Sequence, residues 1–375
     1  MSGNRTRPQA AVIIGTRPEA IKLAPVVREL RRRGVGTVVI GTGQHRDLVE
    51  GVLRLFDVDL DHDLHLMRDA ADLNHLLSTG VRRIGSLLAE LRPRVVLVQG
   101  DTTSALAGAL AAFNAGIPVA HVEAGLRSHD LALPFPEEMH RRVLSVLAQW
   151  NFAPTAHAAR QLRAEHQAGA VHVTGNTVVD AVNHIVQSRS SISRQVTPPD
   201  GAYLLATAHR RESWGEPIRE IALGLRDVLR QRKDLSLIFA THPNPLARGP
   251  VEEVLGIEPR ATVVGPLEYD EFLLLLRGSV LAVTDSGGIQ EEGPTLGVPV
   301  LVTRSVTERP EGLDAGAVSM VGTSRSAVRR EVRRLLDDDR VRATMSRAGR
   351  RVYGDGQAAT RIADILTRDL EERSP

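Results

Sequence analysis

The chain has 375 residues, more than one comfortable core accommodates, so two domains are expected. With 42% hydrophobic and 25% charged residues it reads as ordinary globular protein, and its formal charge of +2, scattered rather than striped, argues against a dedicated nucleic-acid binder. Cysteine is absent, which removes disulfide and thiolate chemistry and makes a reducing cytoplasm the default; no apolar run approaches the roughly 18–20 residues of a membrane span, and the polar stretch Met1 to Gln9 reads as a loose tail rather than a signal peptide.

In chain order, Ala10–Ile14 is an apolar strand broken by Gly15. Pro18 opens a helix from Glu19 to Arg33, with Ile21, Leu23, Val26, Val27 and Leu30 on its buried face. Val35–Gly41 reads as a strand, and His45 to Phe56 and Leu73 to Leu91 as helices. Val95–Val98 is a buried strand, Asp101 to Ser104 a cap, and an alanine-rich helix runs to Ala115 before the strand Pro118–Val122. After a polar stretch from Gln187 to Gly201 the rhythm restarts with strands at Tyr203–Thr207, Leu235–Ala240, Thr262–Val264, Val280–Thr284 and Val298–Val302. Ala358 to Glu372 is one amphipathic helix. Short apolar strands alternating with amphipathic helices mean parallel sheets covered on both faces. The expected architecture is α/β: two doubly wound Rossmann-like domains, residues 1–173 and 174–357, with segment 358–375 packing back on the first and ligands bound in the cleft at the strands' carboxyl ends.

Most residues capable of chemistry follow predicted strands, where such sheets bind ligands. In Thr284 to Glu292 a strand ends, Ser286-Gly287-Gly288 makes a tight turn, and a helix begins, so free N–H groups and the helix dipole favour a phosphate. Glu291 or Glu292, one turn in, suits ribose hydroxyls; a plain Ser286 cap with packing glycines is the bland alternative. The loop Gly15 to Lys22 lacks the second glycine of a Walker A motif, but Arg17 and Lys22 are placed to reach phosphates. Lys22 and Lys233 are the only lysines, so position 22 stands out as a compact point charge among arginines. His209, with Arg210 after it, and Arg309 also follow strands; Arg309 suits a phosphate, a sugar carboxylate or a loop salt bridge. Asp101, Glu123, Glu137 and Glu138 supply carboxylates for proton abstraction and donation, though each alone would also pass as a cap or paired surface charge.

Metal readings are weak. His121-x-Glu123 resembles the start of a zinc-deaminase signature, but the cysteines it needs are absent. Asp57, Asp59, Asp61 and Asp63, with His62 and His65, have the look of an acidic metal motif but fit a solvated edge or loop better. No metal and no cofactor are expected.

Taken together, GTRPEAIKLAPVV (15–27), TGQHRDLV (42–49), VQGDTTSALA (98–107), HVEAGLRS (121–128), PEEMHRR (136–142), TGNTVVDAV (174–182), THPNP (241–245), DSGGIQEEGPTLGVPVL (285–301), TERPEG (307–312) and YGDGQA (353–358) resemble the non-hydrolysing UDP-N-acetylglucosamine 2-epimerases. The resemblance covers nearly the whole chain. It implies a glycosyltransferase-B-like fold, a homodimer, and conversion of UDP-GlcNAc to UDP-ManNAc without metal or nicotinamide. The C2 proton is removed as UDP leaves, giving 2-acetamidoglucal, and UDP then adds back with protonation on the other face. By that resemblance Asp101, Glu123 and Glu137 are the acid/base carboxylates; Arg17, Lys22, Arg141 and His209 contact substrate and diphosphate; and Ser286, Gly287, Gly288, Glu292 and Arg309 hold UDP. A hydrolysing epimerase or a UDP-sugar-dependent glycosyltransferase is the alternative.

The sequence also departs from the family. His140 stands where the family usually has Asn, Asp47 where it has Gln or Glu, and the loop after Met67 lacks the usual glutamine near Asp72. Bacterial members bind a second UDP-GlcNAc as activator through equivalents of Gln44, Arg210 and His242, which are present here. The changes at Asp47 and after Met67 predict that this activation is weakened or absent.

Overall fold

A computed structural model describes residues 8–43, 46–66, 72–166, 168–188, 195–210 and 213–372. The chain divides into two compact units: residues up to Asn183 with those from Gly354 onward, and His184–Tyr353. The division falls inside the helix Thr177–Gln187, some way after the expected boundary at 173/174.

Among the described residues the first unit carries seven parallel strands: β1 Ala10–Ile14, β2 Thr37–Gly41, β3 His62–Asp63, β4 Val95–Gln99, β5 Val119–Val122, β6 Trp150–Ala153 and β7 Ala170–Val173. Their order is β3-β2-β1-β4-β5-β6-β7. The second unit carries six: β8 Ala202–Ala208, β9 Leu235–Thr241, β10 Ala261–Val264, β11 Leu281–Thr284, β12 Val300–Val302 and β13 Val318–Met320. Their order is β10-β9-β8-β11-β12-β13. β1, β4 and β5 are buried at every position, which is why β1 and Val95–Val98 of β4 read as unbroken apolar runs and β5 is interrupted only by His121. Of these strands, β3, β6, β7 and β13 have no counterpart in the sequence reading.

Strand order reverses between β1 and β4 in the first sheet and between β8 and β11 in the second. Loops leaving adjacent strands at such a point diverge to opposite faces, and a crevice opens at the carboxyl edge. The loops after β1 and β4 begin at Gly15 and Gly100; those after β8 and β11 begin at His209 and Asp285. Each sheet thus brings two of the loops singled out above to its own switch point.

The C-terminal helix Ala358–Glu372 belongs to the first unit and packs against the helix Arg17–Arg32. Asp180 accepts from the backbone N–H groups of Ala358 (3.2 Å) and Ala359 (3.0 Å), satisfying two donors that a helix start leaves without partners. Trp150 Nε1 donates to Asp369 at 2.7 Å from the other end of the same helix. Among the described residues no helix is long and apolar enough to cross a membrane.

Candidate active site

In the first unit the chemistry gathers at the carboxyl ends of β1, β4 and β5. Gly15 admits no side chain, because a Cβ there would collide with the Ser104 side chain and lie 2.8 Å from Thr42 Oγ1. The loop is held from below by Glu19, which is wholly buried. Its Oε2 accepts from Gly15 N (2.8 Å) and Thr16 N, and its Oε1 from Thr102 Oγ1 (2.6 Å). Burial raises the Glu19 carboxyl against the pull of these hydrogen bonds. Glu19 therefore ties the loop carrying Arg17 to the turn carrying Asp101.

Glu123 follows β5 with φ 64°, a left-handed backbone uncommon for a residue with a Cβ and one that clusters at functional sites. Its Oε1 is ion-paired to Lys22 Nζ and its Oε2 accepts from Gln99 Nε2, all buried. Lys22, read from sequence as a phosphate contact, is thus placed on a carboxylate.

Asp101 sits in the turn after β4. Its Oδ2 meets Arg141 Nη2 from the helix Glu137–Leu147. The backbone of the same turn is gripped twice: His121 Nε2 lies 2.7 Å from the Gly100 carbonyl and His140 Nδ1 lies 2.7 Å from the Asp101 carbonyl. Burial pushes His121 down to about 4 and lowers His140 as well, so both rings are neutral near pH 7. Glu137 opens that helix; its Oε2 is buried and makes no hydrogen bond among the described residues.

Glu138, weighed beside Glu137 in the sequence, has a structural task. It is fully buried and accepts from Ser128 N (2.9 Å), His129 N (3.2 Å), Arg141 Nη1 (3.1 Å) and Arg142 Nε (3.2 Å). Burial alone would raise its carboxyl; the Ser128 amide and Arg141 outweigh that and lower it.

In the second unit, buried Asp285 organises the carboxyl ends of β8 and β11. It accepts from His209 N (3.1 and 3.0 Å to its two oxygens) and Arg210 N (2.9 Å), and lies 3.4 Å from His209 Nδ1. His209 itself is exposed. The turn Ser286 to Gly288 leads into the helix Ile289–Leu296. Thr284 Oγ1 accepts from Ser286 N at 2.9 Å, and Gln290 Nε2 reaches back to the Ser286 carbonyl at 3.2 Å. A Cβ on Gly287 would lie 2.8 Å from Arg309 Nη1, so glycine lets that guanidinium close over the turn. Arg309 donates through Nε to Glu291 (2.6 Å) and through Nη1 to Glu308. Burial would raise the Glu308 carboxyl, but Arg309, Arg304 and Arg210 together hold it well below the usual carboxylate range. Glu292 Oε1 accepts from Tyr269 Oη at 2.9 Å.

Of the positions read as an allosteric site, Gln44 lies outside the described residues. His242 Nδ1 accepts from Asn244 N (3.1 Å) and its ring lies 5.6 Å from that of Trp214. Asp61 bonds Val39 N (2.7 Å) and Arg31, and Asp63 bonds His65 N (2.9 Å), so these two acids of the period-two run brace β2 and β3. Sequence reasoning passed over Glu19, Gln99, Asp285 and Tyr269. The available signal was a polar side chain at the end of, or just past, an apolar strand, as at Gln99 and Asp285.

Two doubly wound units, one with carboxylates at the carboxyl ends of its strands and one with a glycine turn at a helix start beside an arginine, define an α/β protein of the two-domain Rossmann-like class. The family profile described as UDP-N-acetylglucosamine 2-epimerase matches residues 28–367. UDP-N-acetylglucosamine 2-epimerase of Escherichia coli O157:H7 is 43% identical over 94% of this chain and 97% of its own length. The crystal structure of UDP-GlcNAc 2-epimerase from Neisseria meningitidis bound to UDP-GlcNAc superposes with a TM-score of 0.91 at 37% identity, covering 96% of this chain and 99% of that one. The S. aureus MnaA–UDP co-structure gives 0.89 at 38% identity, with 98% of both chains covered. The chain belongs to the UDP-N-acetylglucosamine 2-epimerase family.

Proposed function

We propose that this enzyme interconverts UDP-GlcNAc and UDP-ManNAc without releasing free sugar, by elimination and re-addition of UDP. The observation that carries the reading is the buried carboxylate of Glu123, paired with Lys22 and accepting from Gln99, with the Asp101–Arg141 pair and the first turn that bears Glu137 in the same unit. A weakly acidic C–H bond needs a positioned, charged base, and the returning proton needs a second carboxyl group in a different environment.

In the forward half-reaction one of these carboxylates takes the C2 proton. The C–H electron pair forms the C1–C2 double bond while the C1–O bond breaks and UDP leaves with the C1–O bonding pair. In the return, a β-phosphate oxygen attacks C1 and a carboxylic acid protonates C2 on the opposite face. Negative charge grows on the β-phosphate as it leaves. His209, the Ser286 to Gly288 turn and Arg309, together with Arg17 from the loop after β1, are the groups to which we assign its stabilisation; Glu292 is assigned to the ribose. We assign Lys22 to Glu123 instead of to the diphosphate. Arg210 and His242, with Gln44, are assigned to an activator site whose response is weakened or absent. The active species is proposed to be a homodimer; Phe113 and Val146, exposed apolar side chains on two neighbouring helices, are consistent with a covered face.

Incubation of UDP-GlcNAc in deuterated water tests the mechanism. The expected product is UDP-ManNAc deuterated at C2. Stoichiometric free ManNAc and UDP would make the enzyme a hydrolysing epimerase, and absence of deuterium at C2 would remove the elimination route.

A further inference from the structure

We propose that His140 is a positioning residue that sets Asp101 against Glu137. The proposal rests on the reading above, in which Asp101 takes part in proton transfer. Besides the backbone bond from Gly100 N to the Val122 carbonyl, three side chains hold the Gly100–Asp101 turn: His121 on the first carbonyl, His140 on the second, and Arg141 on the carboxylate. His121 lies on β5, whereas His140 and Arg141 are consecutive residues of the helix that begins with Glu137. Glu137 and His140 are three positions apart and so share one face of that helix. The bond from His140 to the Asp101 carbonyl thus links the backbone of one reactive carboxylate to the helix that carries another.

A carbonyl only accepts, so His140 must present Nδ1–H. Burial favours the neutral ring, which leaves the tautomer set by this one bond. Arg141 orients the Asp101 side chain and His121 fixes the Gly100 carbonyl on the β5 side; His140 alone ties the Asp101 carbonyl to the helix that carries Glu137. Asparagine carries an amide donor of similar reach and can make the same bond, while leucine has the shape without the donor.

The comparison is therefore His140→Asn against His140→Leu in the full chain, with kcat and KM for UDP-GlcNAc corrected for folded fraction. His140→Asn is expected to stay within about threefold of the parent. His140→Leu is expected to lose roughly tenfold to a hundredfold in kcat, with KM nearly unchanged, as small misplacements of reacting groups cost on this scale. Equal kcat for the two variants overturns the proposal, as does a loss confined to KM or to thermal stability. Asp101→Asn, assayed alongside, separates the underlying reading: a parental rate in that variant removes Asp101 from the chemistry and the proposal with it. Nitrogen-15 NMR of histidine-labelled parent protein reads the same bond without a variant. A neutral His140 protonated at Nδ1 is expected, and the Nε2–H tautomer would overturn the assignment.

Discussion

The ammonium of Lys22 is buried against the carboxylate of Glu123, two residues 101 positions apart and each less than a tenth exposed. Breaking such a pair from one side strands the other charge in a poor solvent, which costs about 3–5 kcal/mol, far more than the net worth of the intact pair. Lys22→Met is therefore expected to lower unfolding free energy by about 3 kcal/mol at pH 7 in urea titrations, and kcat by at least about a hundredfold. Adding Glu123→Gln should restore most of the stability and none of the activity. A Lys22→Met protein as stable as the parent would contradict the burial argument.

Asp180 makes a pH-dependent contribution. Burial raises its carboxyl to about 6 from 3.8, against the opposing hydrogen bonds from Ala359 and Ala358. With the folded value above the unfolded one, the folded state binds the extra proton between those limits. The stabilisation is complete below about 4 and is lost as pH rises through 6. At roughly 1.4 kcal/mol per pH unit the change is about 3 kcal/mol. Relative to the parent, Asp180→Asn should gain about that much stability between pH 4 and pH 8, measured by urea unfolding at both. A constant difference across the range would refute it.

Gly287 lies against Arg309, and a Cβ there would approach its Nη1 to 2.8 Å. Gly287→Ala should push the guanidinium off the turn. A flexible side chain yields at little cost to the fold, so Tm is expected to move by only a few degrees. Affinity for UDP, measured by calorimetry, should fall about tenfold, near the contribution of a charge-assisted contact. Parental UDP affinity would separate Arg309 from the nucleotide.

Weak activation predicts the behaviour of the reverse reaction. Initial rates from pure UDP-ManNAc should be measurable at once and rise less than about threefold on adding catalytic UDP-GlcNAc, which corresponds to a coupling below about 1 kcal/mol. A lag abolished by UDP-GlcNAc would show that Asp47 and the loop after Met67 still support a working activator site.

Much of this protein is written locally. Ala10–Ile14 and Leu73–Leu91 have the same bounds in the sequence reading and in the fold, as does Ala358–Glu372, because an unbroken apolar strand or a sustained helical period carries its own ends. The turn Ser286 to Gly288 and the carboxylates Asp101, Glu123 and Glu137 are also visible, because each follows a recognisable strand or opens a helix. Short strands escaped. β6 carries the polar Asn151 inside four residues, β7 is an edge strand with no fully buried residue, and β13 is three residues long; their strand character comes from neighbours already in the sheet. Only the tertiary structure pairs Lys22 with Glu123, Asp285 with His209, and His140 with the Asp101 carbonyl. Each of those contacts joins residues tens of positions apart. A local pattern can place a charged or polar side chain at the end of a strand, but the partner that decides its charge and aim is chosen by strand order.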